Sequence, residues 1–84
     1  MSGGHFDYKQ FELSDLGEQI EKFIYERDHG YSTKYSRETI NEFRRAVHFL
    51  EKAQIYVQRI DWLVSCDDSE ETFHKRLMED LQKL

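Results

Sequence analysis

The sequence predicts an all-α fold: an N-terminal arm plus three helices built on one long central helix, packed as a helical-bundle oligomer. Three observations predict it. The 84 residues contain no proline and only four glycines, which favours long uninterrupted helices over turn-rich β-structure. Apolar residues recur at three- and four-residue spacing along most of the chain, the period of an amphipathic helix. Apolar residues supply 38% and charged residues 35%, a thin supply for a chain near the lower size limit for a closed core. Sharing a core between copies is the natural remedy. A single helical domain over 1–84 is expected, with an arm at 1–12 and helices at 14–28, 36–65 and 69–83.

The arm, SGGHFDYKQF, sets two glycines before a cluster of aromatics. Ser14 then reads as the N-cap of the first helix, its hydroxyl accepting from an orphan amide one turn in. Leu16, Ile20, Phe23 and Ile24 follow at helical spacing. The helix should stop near Asp28, with Gly30 free to take the left-handed conformation behind it.

Residues 30–35, GYSTKY, read as a short connection. Ser36 is a good N-cap for the long helix, with Tyr35 and Ile40 in the positions of a hydrophobic staple. No breaker follows until Ser65, which predicts about 45 Å of helix. Ile40, Phe43, Val47, Leu50, Ala53, Val57, Ile60 and Val64 form its stripe, and Ala46, Phe49, Tyr56 and Leu63 widen it to nearly half the circumference. A stripe that broad calls for two packing partners. Residues 65–69, SCDDS, break the pattern, and Asp68 with Glu71 reads as a reciprocal cap. Phe73, Leu77, Leu81 and Leu84 line one face of a short last helix.

Several function classes are disfavoured. The formal charge is −5, unsuited to general nucleic-acid binding, which needs a basic surface. No basic segment leads into an apolar run at the start, and nothing approaches the roughly 18 apolar residues of a membrane span. One cysteine, Cys66, excludes an intrachain disulfide and suits a reducing cytoplasm. A glycine-rich phosphate loop, a nucleophile elbow and paired cysteines are all missing, so the expectation is no enzyme. Glu71 and His74 match one half of a carboxylate-bridged metal motif, but Glu71 already serves as a cap, and no metal or other cofactor is expected.

The charge is unevenly spread. Between residues 34 and 59, Lys34, Arg37, Arg44, Arg45, Lys52 and Arg59 face three glutamates, at 38, 42 and 51, a local +3 that leaves −8 for the rest. At 100° per residue, Arg37, Arg44, His48, Lys52 and Arg59 fall within roughly an 80° arc of the long helix, with Trp62 near the same line. Such a cationic row with an aromatic can grip an anion and stack a ring. Its bland alternative is a solvated face paired with neighbouring carboxylates. The candidate ligand site joins this row to the arm. Amides of Gly3 and Gly4 would approach an anion closely, Arg44, Lys52 and Arg59 would bind phosphates, His5 and His48 would donate hydrogen bonds, and Tyr8 or Trp62 would stack a base. The competing role for Phe6, Tyr8 and Phe11 is to pin the arm over a thin core. Asp61, at the margin of the stripe, is expected to pair with Lys75 or Arg76, and His29 reads as a loop residue at a helix end, where a partly charged imidazole is favourable.

Two segments, SGGHFDYKQF at 2–11 and RIDWLVSCDDSEETFHKRL at 59–77, resemble an uncharacterised family of small bacteriophage and prophage proteins beginning Ser-Gly-Gly-His-Phe-Asp-Tyr. The resemblance covers both ends of the chain, the middle matching only as a helical pattern. Where that family reads Ser-Gly-Asp-Asp-Gly, this chain has Ser65-Cys66-Asp67-Asp68-Ser69. The resemblance implies a phage origin and a place in the cytoplasm of a host bacterium, and carries no activity. Joined to the cationic-aromatic row, it leads to the expectation of a non-enzymatic counter-defence protein that sequesters an anionic nucleotide signal. The alternative is a protein-interaction adaptor or inhibitor that binds a host or phage protein, to which an acidic chain would offer complementary charge.

Overall fold

The structure is a computed structural model that describes residues 6–66 and 68–84. These residues are all-helical and contain no strand: α1 (Phe11–Asp28), α2 (Arg37–Val64) and α3 (Glu70–Gln82). Both α1 and α3 pack on α2, and they do not pack on each other. The molecule is long and narrow, 48 × 24 × 15 Å.

The chain enters through a tight turn. Lys9 N donates to Phe6 O at 3.0 Å, and both intervening residues, Asp7 (φ 54°) and Tyr8 (φ 59°), are left-handed. That sign pattern belongs to type I′ turns, which favour Gly, Asn and Asp. Asp7 is at home there, while Tyr8 is strained. The turn leads directly into α1, four residues earlier than the Ser14 cap predicts. Gln10 stands at the N-cap position without a side-chain cap bond, and the Ser14 hydroxyl donates instead to Gln54 Oε1 on α2.

The end of α1 follows its sequence signal. Gly30 has φ 75°, Tyr31 N donates to Glu26 O at 2.8 Å and Gly30 N to Arg27 O at 3.3 Å. These are the two bonds of a Schellman motif, closing carbonyls that would otherwise be orphaned. Ser36 caps α2 by accepting from Thr39 N. Tyr35 packs on Phe43, ring centroids 5.4 Å apart, one turn beyond the expected staple partner Ile40.

At the far end, Cys66 takes the left-handed position with φ 64°, its amide donating to Leu63 O. The turn forms without the glycine of the phage pattern, at a steric cost of about 1 kcal/mol. The cap of α3 is Ser69, not Asp68: its Oγ accepts from Thr72 N at 3.2 Å, while Asp68 Oδ1 accepts from Ser69 N. Ser and Asp are both good caps, and the one whose register meets the Thr72 amide takes the role.

The buried apolar side chains are Ile40, Val47 and Leu77. Gly17 is buried in α1, and a Cβ built on it meets nothing within 4 Å. Gly17→Ala is therefore expected to raise stability by about 0.5–1 kcal/mol, through helix propensity and a less free unfolded chain. A rise in the urea midpoint at unchanged slope is the signature to look for.

Candidate functional site

The α1–α2 hairpin ends in a cavity of about 360 Å³ lined by Arg27, Asp28, Arg37, Ile40, Asn41 and Arg44. The Schellman end of α1 and the Ser36 cap of α2 bring these residues together. Its lining holds three arginines and one carboxylate. Asp28 accepts a hydrogen bond from Arg44 in an ion pair, and Arg44 also donates to Asn41 Oδ1 at 3.2 Å. The Arg44 hydrogen bond, helped by the charges of Arg44, His29 and Arg27, holds the Asp28 carboxyl below its ordinary value of 3.8. Arg27 and Arg37 form no ion pair with a described carboxylate. The cavity lies between the C-terminal end of α1 and the first two turns of α2, whose end dipoles oppose each other, so its arginines and not the backbone supply the positive charge.

An aromatic stack stands at the same end of the hairpin. Tyr25 and His29 lie 3.9 Å apart between ring centroids, at 24°. Tyr31 continues the series, 6.5 Å from His29 and 10° from parallel with it. Tyr25 and Tyr31 are exposed. His29 is fixed by its Nδ1, 3.0 Å from Tyr25 O; only a donor suits a carbonyl, which assigns the proton to Nδ1.

The cationic row is spread out and partly committed. From Arg37 to Arg59 is about 33 Å of helix, too long for one small molecule to bridge. Arg44 is held by Asp28, as above. Arg59 is only 12% exposed; its Nε donates to Asp80 Oδ2 of α3 at 2.6 Å, and its guanidinium lies 4.6 Å from the Trp62 ring centroid. The structure thus joins Arg59 to Trp62, but as a link between helices. His48 and Lys52 are exposed and bond to no described residue.

The described part of the arm, from Phe6 onward, lies elsewhere. Gly3, Gly4 and His5 fall outside the described residues. Phe6 N donates to Asp61 Oδ1 at 3.3 Å, which sets the arm against the last third of α2. Arg44 and Asp61 are 17 positions apart, about 26 Å along the helix, so Tyr8 and Arg44 do not share a site. Tyr8 is half exposed, its ring 6.4 Å from that of Phe11. Phe11 belongs to α1 and is similarly exposed, so it does not pin the arm. Asp61 does: it is fully buried and accepts from Phe6 N and from Gln10 Nε2 at 3.4 Å. The expected pairing of Asp61 with Lys75 or Arg76 is replaced by this polar anchor. Gln10 Nε2 also donates to Gln58 Oε1 at 2.7 Å, whereas Gln10 Oε1 is buried without a partner.

No protein-family model matches the chain. No curated protein and no solved structure matches it either. Among the described residues, no three His, Cys, Asp or Glu side chains gather where they could hold a metal ion, and no helix is long and apolar enough to cross a membrane.

The sequence reading named Arg44 and placed Arg37 in its row, but missed Arg27, Tyr25 and Tyr31. All three lie in or beside YERDHGY, treated as a helix end and a connection. The available signal was the i, i+4 pair Tyr25–His29, with an arginine between them.

Proposed function

We propose that the protein is a non-enzymatic binding protein that captures an anionic nucleotide at the open end of the α1–α2 hairpin. One observation carries the reading: three arginines and a single carboxylate line a cavity of about 360 Å³, with an exposed aromatic stack at the same end. Arg27 and Arg37 meet the phosphates, and planar guanidinium groups suit phosphate oxygens. Arg44 joins them when phosphate replaces Asp28. Tyr31 and His29 offer a platform for the base. The resemblance to phage proteins supports a counter-defence role, in which the chain holds a nucleotide signal away from its host receptor in the bacterial cytoplasm.

Isothermal titration calorimetry against inorganic phosphate, ADP, ADP-ribose and a cyclic dinucleotide tests this. At least one nucleotide is expected to bind, with affinity falling as salt rises. Arg27→Glu and Arg37→Glu are each expected to weaken it about tenfold or more, each replacing a favourable charge by a repulsive one. Tyr31→Ala is expected to weaken nucleotide binding and leave phosphate binding unchanged. Silence across the panel sinks the reading.

A second reading, a protein-interaction adaptor or inhibitor of a host or phage protein, is favoured by the large apolar side chains left at the surface, such as Phe49 at 64% exposure. Exposed apolar area of this kind marks association sites. It becomes the better account if no nucleotide binds and a foreign protein covers that surface.

A further inference from the structure

The apolar half of α2 has more width than its own chain covers. At 100° per residue, Leu16, Ile20 and Phe23 share roughly a 60° arc of α1, and Phe43, Leu50 and Val57 roughly a 40° arc of α2. Phe23 meets Phe43 edge-on, with centroids 6.1 Å apart at 84°, which sets the two arcs on one side of the hairpin. Turning further round α2, away from α1, come Ala46, Phe49, Ala53, Tyr56, Ile60 and Leu63. No charged residue interrupts these sets within their own spans, and Glu42, which lies on the line of Phe49 one turn before Ala46, is paired with Arg45. α3 is fastened on the Arg59–Trp62 side, and leaves Leu16, Phe23, Phe49, Tyr56 and Val64 between 44% and 64% exposed.

We propose that this face is covered by a second copy of the chain, related by a two-fold axis, so that α1 and α2 of two protomers form a four-helix bundle. The area supports it. A compact monomer of 10.2 kDa exposes about 5300 Å² by the usual scaling, and this chain exposes 6367 Å². The excess of about 1000 Å² is close to the roughly 800 Å² per partner of a standard stable interface. The radius of gyration points the same way, 16.0 Å against about 12 Å for a compact chain of this length.

The pattern explains why the occupant is a copy. Positions 46, 49, 53, 56, 60 and 63 alternate steps of three and four, the spacing of a helix–helix seam. Along it, small Ala46 and Ala53 flank large Phe49 and Tyr56. One surface therefore carries both knobs and holes, which a two-fold interface requires of a single patch. Its lack of charge means that pairing with itself buries no unpaired ion.

Sedimentation equilibrium of the full chain, with reductant present because Cys66 is exposed, is the test. The expected mass is twice 10.2 kDa at about 10–100 μM. Phe49→Glu and Ala53→Glu are each expected to weaken association at least about 100-fold by placing two carboxylates in an apolar contact, with helical circular dichroism retained by Phe49→Glu because Phe49 is 64% exposed. A wild type that stays monomeric at the highest of those concentrations overturns the proposal and leaves the face to a foreign partner. So does a Phe49→Glu variant that remains dimeric. The inference does not depend on the nucleotide site: Phe49→Glu leaves Arg27, Arg37 and Arg44 in place, so calorimetry on that variant reads binding separately from assembly.

Discussion

Asp61→Ala is expected to lose about 3 kcal/mol of stability. The carboxylate is 0% exposed and accepts from the Phe6 amide and from Gln10 Nε2. Both bonds are long, 3.3 and 3.4 Å, so each contributes about 1 kcal/mol, and truncation also strands the buried donors and leaves a void where the carboxyl group stood. Gln10 Nε2 keeps its bond to Gln58, so part of the loss is offset. The Phe6 amide loses the Asp61 bond. With that bond goes the tie that holds Asp7 and Tyr8 in their left-handed turn, so the effect should spread along the entry to α1. Urea unfolding followed by circular dichroism at fixed protein concentration measures the total, and faster hydrogen exchange at the Lys9 amide reports the turn. Asp61→Asn, which keeps the shape, should cost about half as much. A loss under 1 kcal/mol for the alanine variant, or equal losses for both, would show that the anchor is not what holds the arm.

Ile40→Ala is the second large effect, also about 3 kcal/mol. Ile40 is 1% exposed, one of the few apolar side chains this narrow molecule closes off completely. An 84-residue chain has a total stability of roughly 4–13 kcal/mol, so the variant would lose between about a quarter and three quarters of it. Ile40→Val, which removes one methylene, should cost about 1 kcal/mol. Ile40 also lines the arginine cavity, so the alanine variant should loosen the spacing of Arg37 and Arg44 as well. Thermal unfolding at matched concentration is the check. Indistinguishable midpoints for Ala and Val would mean that the site collapses freely and is not packed.

Capping and periodicity made most of the secondary structure legible. Ser36 and Gly30 were read correctly because each stands at the boundary of an apolar helical pattern with the chemistry its role needs: a hydroxyl that reaches Thr39 N, and a backbone that takes φ 75°. Two errors arose where the local chemistry offered a choice. Ser14 and Ser69 are equally good caps by type; the first lies inside α1 and donates to Gln54, and the second displaced Asp68 by one residue. The cationic row was legible as a pattern, but its meaning was not. Arg44 and Arg59 find their carboxylates 16 and 21 positions away, on helices whose folding back decides which acid arrives. Arg27 escaped notice for the same reason, since nothing local marks a helix end as one wall of a cavity.

The sequence by itself determined the three helices, the stops at Gly30 and Ser65, and an apolar stripe on α2 wider than one neighbour can cover. These follow from side chains repeating at the helical period and from groups that bond to backbone within four residues. The tertiary structure alone decided that Asp61 anchors the arm, that the arginines divide between helix ties and an open cavity, and which side of the hairpin stays bare. Those outcomes depend on distances between residues remote in the chain, and no spacing along a strand of letters encodes them until α1 and α3 have settled on α2.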